Sequence, residues 1–250
     1  MINYTLPNDW RDLQKQVAQI LGECGFETEV EKKINTARGT VDIDVFAEDP
    51  TQKPSVIYLC ECKYWQSAVP KSVVHALRTV TSDFGANWGF IISLTGFQSG
   101  AYEAAKHSNV RLLIWEEFQE LFADRWFERY MAPRLTEEAN PLVEYTEPIN
   151  SRIFRKADAL SAEAQEQFKV LREKYYQLAL LTLLMYVPGI KGYQRPQLPL
   201  CKKPTERLLV GGGIPEDVLE ATALREFLEL YLRHVKKGIV AFDQIFGERG

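Results

Sequence analysis

Two short segments set charged side chains at alternate positions of otherwise apolar strands, and this limits the fold more than any other feature of the chain. They are Val41-Asp42-Ile43-Asp44-Val45 and Leu59-Cys60-Glu61-Cys62-Lys63. Residues i and i+2 of a strand share a face. Asp42 and Asp44 therefore point together, as do Glu61 and Lys63, while Cys60 and Cys62 point to the other side. If the two strands are neighbours, a carboxylate from each can approach one hard cation. Mg²⁺ takes oxygen ligands and usually keeps several waters. Bound there, it would polarise a phosphodiester, deprotonate a water and steady a leaving oxygen. A lysine beside it can position the water or stabilise developing negative charge. Glu-x-Lys alone is a weak signal, because alternating charge is equally the solvated face of a hairpin.

The flanking pattern gives these strands a context. Asn8 or Asp9 can cap a helix in which Trp10, Leu13, Val17, Ile20 and Leu21 recur at helical spacing. Gly22 and Gly25 turn the chain into an alternating strand, Phe26 to Ile34, and Asn35 to Gly39 is a turn. The two charged strands follow, joined by a proline-containing hairpin connection over Glu48 to Ser55. Pro70 opens a helix with the apolar stripe Val73, Val74, Leu77 and Val80. Trp88 to Leu94 and Val110 to Trp115 are nearly continuous apolar runs, as expected of strands buried on both faces. Between them Phe97 to His107 reads as a helix, and Glu116 to Tyr130 is an amphipathic one. The order is helix, three strands, helix, strand, helix, strand, helix. It predicts an α/β fold: a mixed central sheet with helices on its faces.

In this order the segments resemble the Mrr-like branch of the PD-(D/E)xK restriction-endonuclease superfamily. The resemblance runs over about the first half of the chain. It is carried by Trp10-Arg11-Asp12-Leu13-Gln14, the Gly25-Phe26 turn, Gly39-Thr40-Val41-Asp42-Ile43-Asp44-Val45, and Cys60-Glu61-Cys62-Lys63-Tyr64-Trp65. Beyond these lie Gly89-Phe90-Ile91-Ile92-Ser93 leading into Thr95-Gly96-Phe97-Gln98-Ser99-Gly100-Ala101, and Leu112-Leu113-Ile114-Trp115. The resemblance implies a restriction-endonuclease-like fold and a Mg²⁺-dependent DNA endonuclease, with Mn²⁺ able to substitute. By position it makes Asp44 the metal-binding aspartate (Asp42 is the alternative), Glu61 the second acidic ligand and Lys63 the catalytic lysine. The resemblance also implies the backbone carbonyl of Cys62 as a further metal ligand. Many relatives place a glutamate on the first helix; here the nearest position holds Gln14, which can orient a water but adds no charge. This departure puts a second metal in doubt.

Further candidates are less specific. Lys32, Lys33, Arg38, Lys71 and Arg78 are expected phosphate contacts, and equally ordinary solvated charges. Tyr64, Trp65 and Trp88 are read as packing residues rather than base-stacking ones. His75 and His107 have no nucleophilic partner at a telling spacing and are read as structural. Gln98 and Ser99 are read as helix capping. Gly211-Gly212-Gly213 lacks the lysine and hydroxyl of a phosphate loop.

The rest of the chain bounds partners and compartment. Of 250 residues, 46% are hydrophobic and 26% charged, which excludes wholesale disorder. The net charge of −4 excludes a uniformly basic nucleic-acid coat but leaves room for a local groove. Cys24, Cys60, Cys62 and Cys201 form no CxxC or Cys/His cluster, so structural zinc and a disulfide scaffold are not expected. The longest strongly apolar run, Leu178 to Val187, is too short for a bilayer, which needs roughly 20 residues. With no signal-peptide pattern at the N-terminus, the expected location is cytoplasmic. The expected domains are a nuclease domain over 1–132, a proline-containing linker or extended wrap over 133–150, and a helical accessory domain over 151–250. In the last, Phe168, Leu171, Tyr175, Leu178, Leu181 and Leu184 form a stripe that is core or an interface. The resemblance implies that this part senses, oligomerises or binds a partner, and that the chain is the DNA-cutting effector of a prokaryotic anti-phage or restriction system, with duplex DNA as substrate. A catalytically decayed nucleic-acid-binding subunit, and a nuclease acting on RNA, remain the alternatives.

Overall fold

The first helix, α1 (Trp10–Glu23), is capped by Asp9, whose carboxylate accepts the backbone N–H of Asp12 at 2.8 Å. In the computed structural model, which describes residues 1–185, 195–200 and 213–247, α1 opens the first of two units. Gly25, at φ 86°, takes the left-handed turn that sends the chain into β1 (Glu27–Thr36). β2 (Gly39–Asp49) and β3 (Val56–Lys63) follow, then α2 (Lys71–Phe84), β4 (Trp88–Ser93), α3 (Ser99–Ala105), β5 (Val110–Ile114) and α4 (Trp115–Trp126). The predicted α/β architecture is the observed one.

The strands form one sheet in the order β1-β2-β3-β4-β5. β1, β2 and β3 pair antiparallel through direct connections, whereas β4 and β5 are each reached through a helix and pair parallel. Ile43 and Val45 of β2 are buried while the acidic positions beside them are not, and β4 is buried along nearly its whole length. The alternation and the unbroken apolar run thus report the same thing, namely how many faces of a strand are covered. At Gly89 an added Cβ would lie 2.7 Å from Thr81 Oγ1, so α2 packs on β4 at a distance only glycine permits.

A buried ion pair ties the end of α4 to the sheet. Arg125 Nη1 donates to Asp49 Oδ2 at 2.6 Å, where the Asp49 side chain is 2% exposed. Arg125 Nε also donates to the Cys24 carbonyl at 2.9 Å, and the guanidinium lies 4.1 Å from the Phe26 ring centroid. One side chain therefore fastens α4 to the C-terminal ends of α1 and β2.

The second unit contains Ile2–Tyr4 and the chain from Tyr130 onward. A π-helical turn (Phe127–Met131) precedes α5 (Ala132–Thr146), followed by α6 (Ser151–Asp158), α7 (Ala162–Met185), α8 (Glu216–Glu220) and α9 (Leu224–Phe246). The expectation of a linker or extended wrap after Ala132 is thus corrected: residues 132–146 are helical. Pro133 lies in the first turn, where no backbone N–H is needed, Pro148 follows the helix end, and only Pro141 is internal. Its cost is offset by a buried face of Leu135, Ala139, Leu142 and Tyr145. Tyr145 stacks on Phe242 of α9 at 4.7 Å and donates to Asp243 at 2.7 Å. Phe168, Leu178 and Leu181 of the expected stripe are buried; the side chain of Leu184, like Tyr186, Cys201, Gly211 and Gly212, lies outside the described residues. Among the described residues no helix is long and apolar enough to cross a membrane.

The clasp predicts a measurable loss. Arg125→Ala strands a buried carboxylate and is expected to cost roughly 3 kcal/mol at pH 7 in urea denaturation. Hydrogen bonds from Arg125 hold Asp49 well below the usual carboxylate range. The clasp therefore stabilises the fold above the ordinary carboxylate pKa and loses that contribution as the pH falls towards the depressed value. The difference between Arg125→Ala and the native chain should shrink between pH 7 and pH 3; an undiminished difference would assign the effect to packing.

Candidate active site

β2 and β3 pair with Val45 opposite Cys60. One step further along each strand, Asp44 and Glu61 come to the same face, and Lys63 follows Glu61 at the C-terminal end of β3. Asp44 is held at both oxygens. Gln14 of α1, itself buried, donates its Nε2 to Oδ1 at 2.8 Å, and the backbone N–H of Cys62 donates to Oδ2 at 2.7 Å. Three elements thereby fix one carboxylate. Lys63 Nζ pairs with Glu61 Oε1. Gln14, Asp44, Cys62 and Lys63 border a cleft of about 670 Å³, with Trp10, Tyr64 and Trp65 around them.

Burial, and secondarily the charge of Asp44, raise the pKa of Glu61; Lys63 only partly opposes this. Glu61 therefore carries an electrostatic cost that a cation would relieve. Among the described residues no group of three or more His, Cys, Asp or Glu side chains is arranged to hold a metal. Two carboxylates are nevertheless a sufficient protein contribution for Mg²⁺, which fills its remaining positions with water and substrate oxygens. Asp44 retains acceptor capacity, because each oxygen accepts one hydrogen bond and has a second lone pair. The donor set fits a divalent cation. The thiols take no part: burial pushes Cys60 and Cys62 up, far from the thiolate form.

The other predicted positions separate. Asp42 also lines the cleft, but it is 71% exposed and paired loosely with Lys33 at 3.9 Å. Of the five basic candidates, Lys33 lines the cleft. Lys32 pairs with Glu29 at 2.9 Å and covers the Phe46 ring. Arg38 and Arg78 border a different cleft, of about 520 Å³, with His75 and His107. There Arg38 bonds Asp83 at 3.0 Å and Arg78 bonds the Ala104 carbonyl at 2.8 Å. Lys71 is exposed at the start of α2, beside Gly100. These five do not form one basic surface around the carboxylates.

Two features of the cleft were not expected. Trp10 was placed in the apolar stripe of α1, yet it is 45% exposed at the cleft, and Trp65 is 40% exposed there. Glu31 also lines the cleft, at φ 53°, between the paired positions Val30–Val45 and Lys32–Ile43 and hence opposite Asp44. Nothing in the alternation of β1 marks Glu31, whereas the indole of Trp10 sits at the first helical position, where a stripe has the least claim on it.

Residues 6–122 match the model of the restriction endonuclease family Mrr_cat. Over these residues, a little under half of the chain, the protein is similar to the restriction-endonuclease domain of that family. No curated protein matches the chain. A solved structure titled "Crystal Structure of Protein of Unknown Function AF1548" resembles it over 66% of this chain and 97% of that chain, at 19% identity and a TM-score of 0.40, too low to bear on fold or function. The family match supports a nuclease of the restriction-endonuclease type, and domains of this type generally use divalent metals.

The crowding of Asp44 and Glu61 gives a test that needs no substrate. Glu61→Gln removes a half-buried charge whose pKa is raised. A raised carboxylate pKa costs stability once the pH exceeds the ordinary carboxylate value, and the cost saturates above the raised one. In chelator, Glu61→Gln is expected to melt higher than the native chain at pH 8 and with no advantage near pH 4. A lower melting temperature at pH 8 would mean that the Lys63 pairing outweighs the repulsion.

Proposed function

We propose that the chain is a Mg²⁺-dependent DNA endonuclease that hydrolyses phosphodiester bonds at the cleft bordered by Asp44 and Lys63. The observation carrying this reading is the meeting of Gln14, Asp44, the Cys62 backbone and the Glu61–Lys63 pair where the C-terminal end of β3 lies against the middle of β2. Asp44, Glu61 and the Cys62 carbonyl would hold the cation. When bound, Mg²⁺ or Mn²⁺ supplies positive charge to a phosphodiester oxygen and acidifies a water. Asp44 is held in place by Gln14 and β3, so its geometry is set before substrate arrives. Gln14, donating through Nε2, keeps its carbonyl oxygen as an acceptor that can orient a water. Lys63 is held by Glu61; once that carboxylate is engaged elsewhere, its ammonium can turn to the attacking water or the phosphate oxygens.

The resemblance supports an effector role in a prokaryotic defence system, in the cytoplasm, with the helical second unit as the part that oligomerises or meets an activating partner. Cutting by the isolated chain is then expected to be weak but measurable, and strong cutting would remove the partner requirement.

Lys63→Ala is expected to lower Mg²⁺-dependent cleavage of labelled DNA by about 100-fold or more while leaving circular dichroism unchanged. Cleavage by this variant at the native rate would sink the assignment, and so would native protein that cuts RNA but not DNA. Gln14→Glu sets a second negative charge beside Asp44. It is expected to lower the melting temperature in chelator and to give a larger stabilisation by Mg²⁺ than the native chain shows. An equal Mg²⁺ response in both would place the cation away from Gln14.

A further inference from the structure

The cleft at Asp44 and Lys63 is short of positive charge and rich in exposed aromatic surface. Its lining holds three carboxylates, Glu31, Asp42 and Asp44, against two ammonium groups, Lys33 and Lys63. Binding that rests on neutralising duplex phosphates needs the opposite balance. Two indoles stand in its place. Trp65 directly follows the exit of β3, with Lys63 Nζ 5.3 Å from its ring centroid, and Trp10 starts α1 with the Arg11 guanidinium 4.8 Å from its own. Tyr64, between Lys63 and Trp65, donates its hydroxyl to the Asn8 carbonyl at 2.9 Å, which fastens the segment carrying Trp65 to the segment carrying Trp10. Both indoles therefore border the cleft on anchored backbone, and neither is consumed by the core.

From this we infer, resting on the nuclease reading above, that Trp10 and Trp65 are base-stacking residues and that the preferred substrate is DNA whose nucleotides beside the scissile phosphate are unpaired. Bases inside a duplex are already stacked and offer edges to a protein; an unpaired base offers its face, and every base has one. A phosphate beside Lys63 leaves its own or the adjacent base within reach of Trp65. The cation over Trp10 occupies one side of that ring and leaves the other to a base. A cleft of about 670 Å³ is in the range that encloses small ligands and suits extruded nucleotides rather than a double helix. Duplex would then be cut only where it is frayed, looped or opened.

Binding and cutting test this separately. Trp115 and Trp126 are buried and Trp88 is half-buried, so Trp10 and Trp65 are the indoles most open to quenching. In chelator, where nothing is cut, titration with oligo-dT is expected to quench the native fluorescence saturably. Trp10→Ala and Trp65→Ala should each weaken affinity by about 5- to 100-fold, and Trp65→Phe should recover most of the loss. Both side chains are exposed, so circular dichroism should match the native chain. With Mg²⁺, single strands and a duplex carrying an unpaired loop should be cut, and a blunt duplex spared. The inference is overturned if the blunt duplex is cut as fast as the single strand, or if both alanine variants bind oligo-dT with native affinity. If oligo-dT binds with the tryptophan dependence but no DNA is cut by native protein, the stacking role stands and the nuclease reading falls.

Discussion

Everything at the site depends on how one carboxylate is held. Asp44 accepts from a side chain of α1 and from the backbone of β3, so its position records the packing of a helix on a sheet and the register of two strands at once. A carboxylate with one bond would swing about its χ angles; with both oxygens engaged from different elements it cannot move without breaking tertiary structure. This also gives Gln14 a purpose that a glutamate could not fill without a cation present. An amide donates to Asp44, while a second carboxylate would repel it.

The sheet places this clamp at its change of sense. β3 is antiparallel to β2 and parallel to β4, so its C-terminal end, with Glu61 and Lys63, is where the hairpin half of the sheet meets the crossover half. The chain then leaves through Tyr64 and Trp65 to reach α2, which packs closely enough on β4 to require Gly89. The Arg125–Asp49 clasp does comparable work at the C-terminal end of β2, fastening α4 and α1 where the strand stops. One strand is pinned at two places, by a hydrogen-bonded acid at its middle and an ion-paired acid at its C-terminal end.

What was legible in the sequence follows from which interactions are local. The i, i+2 pattern put Glu61 and Lys63 on one face, and the burial of Ile43 and Val45 around Asp44 follows the same period. The helix at 132–146 was not legible, because three prolines in a polar stretch suggest an extended chain while the compensation, Leu142 and Tyr145 packing on distant α7 and α9, is non-local. The same applies to the basic residues. Arg38 and Arg78 read as companions of Lys33 along the chain, but Asp83 and the Ala104 carbonyl draw them to another cleft. The left-handed backbone of Glu31 has no counterpart in its alternating strand sequence.

The net charge of −4 looked like an argument against nucleic acid, and the cleft itself repeats that imbalance on a smaller scale. The two observations have one physical resolution. A site with more carboxylates than ammonium groups leaves room for a further positive charge, and Lys63 only partly counters the upward push on Glu61. Once that charge is a metal ion shared with the substrate, the protein has little need of lysines to attract phosphate. The affinity that phosphate contacts do not provide must then come from surface that carries no charge, and at this cleft that surface is aromatic. On the proposed reading, the acidity of the cleft and the exposure of its indoles are two sides of one arrangement, in which a cation would orient the phosphate and the rings would select the state of the bases.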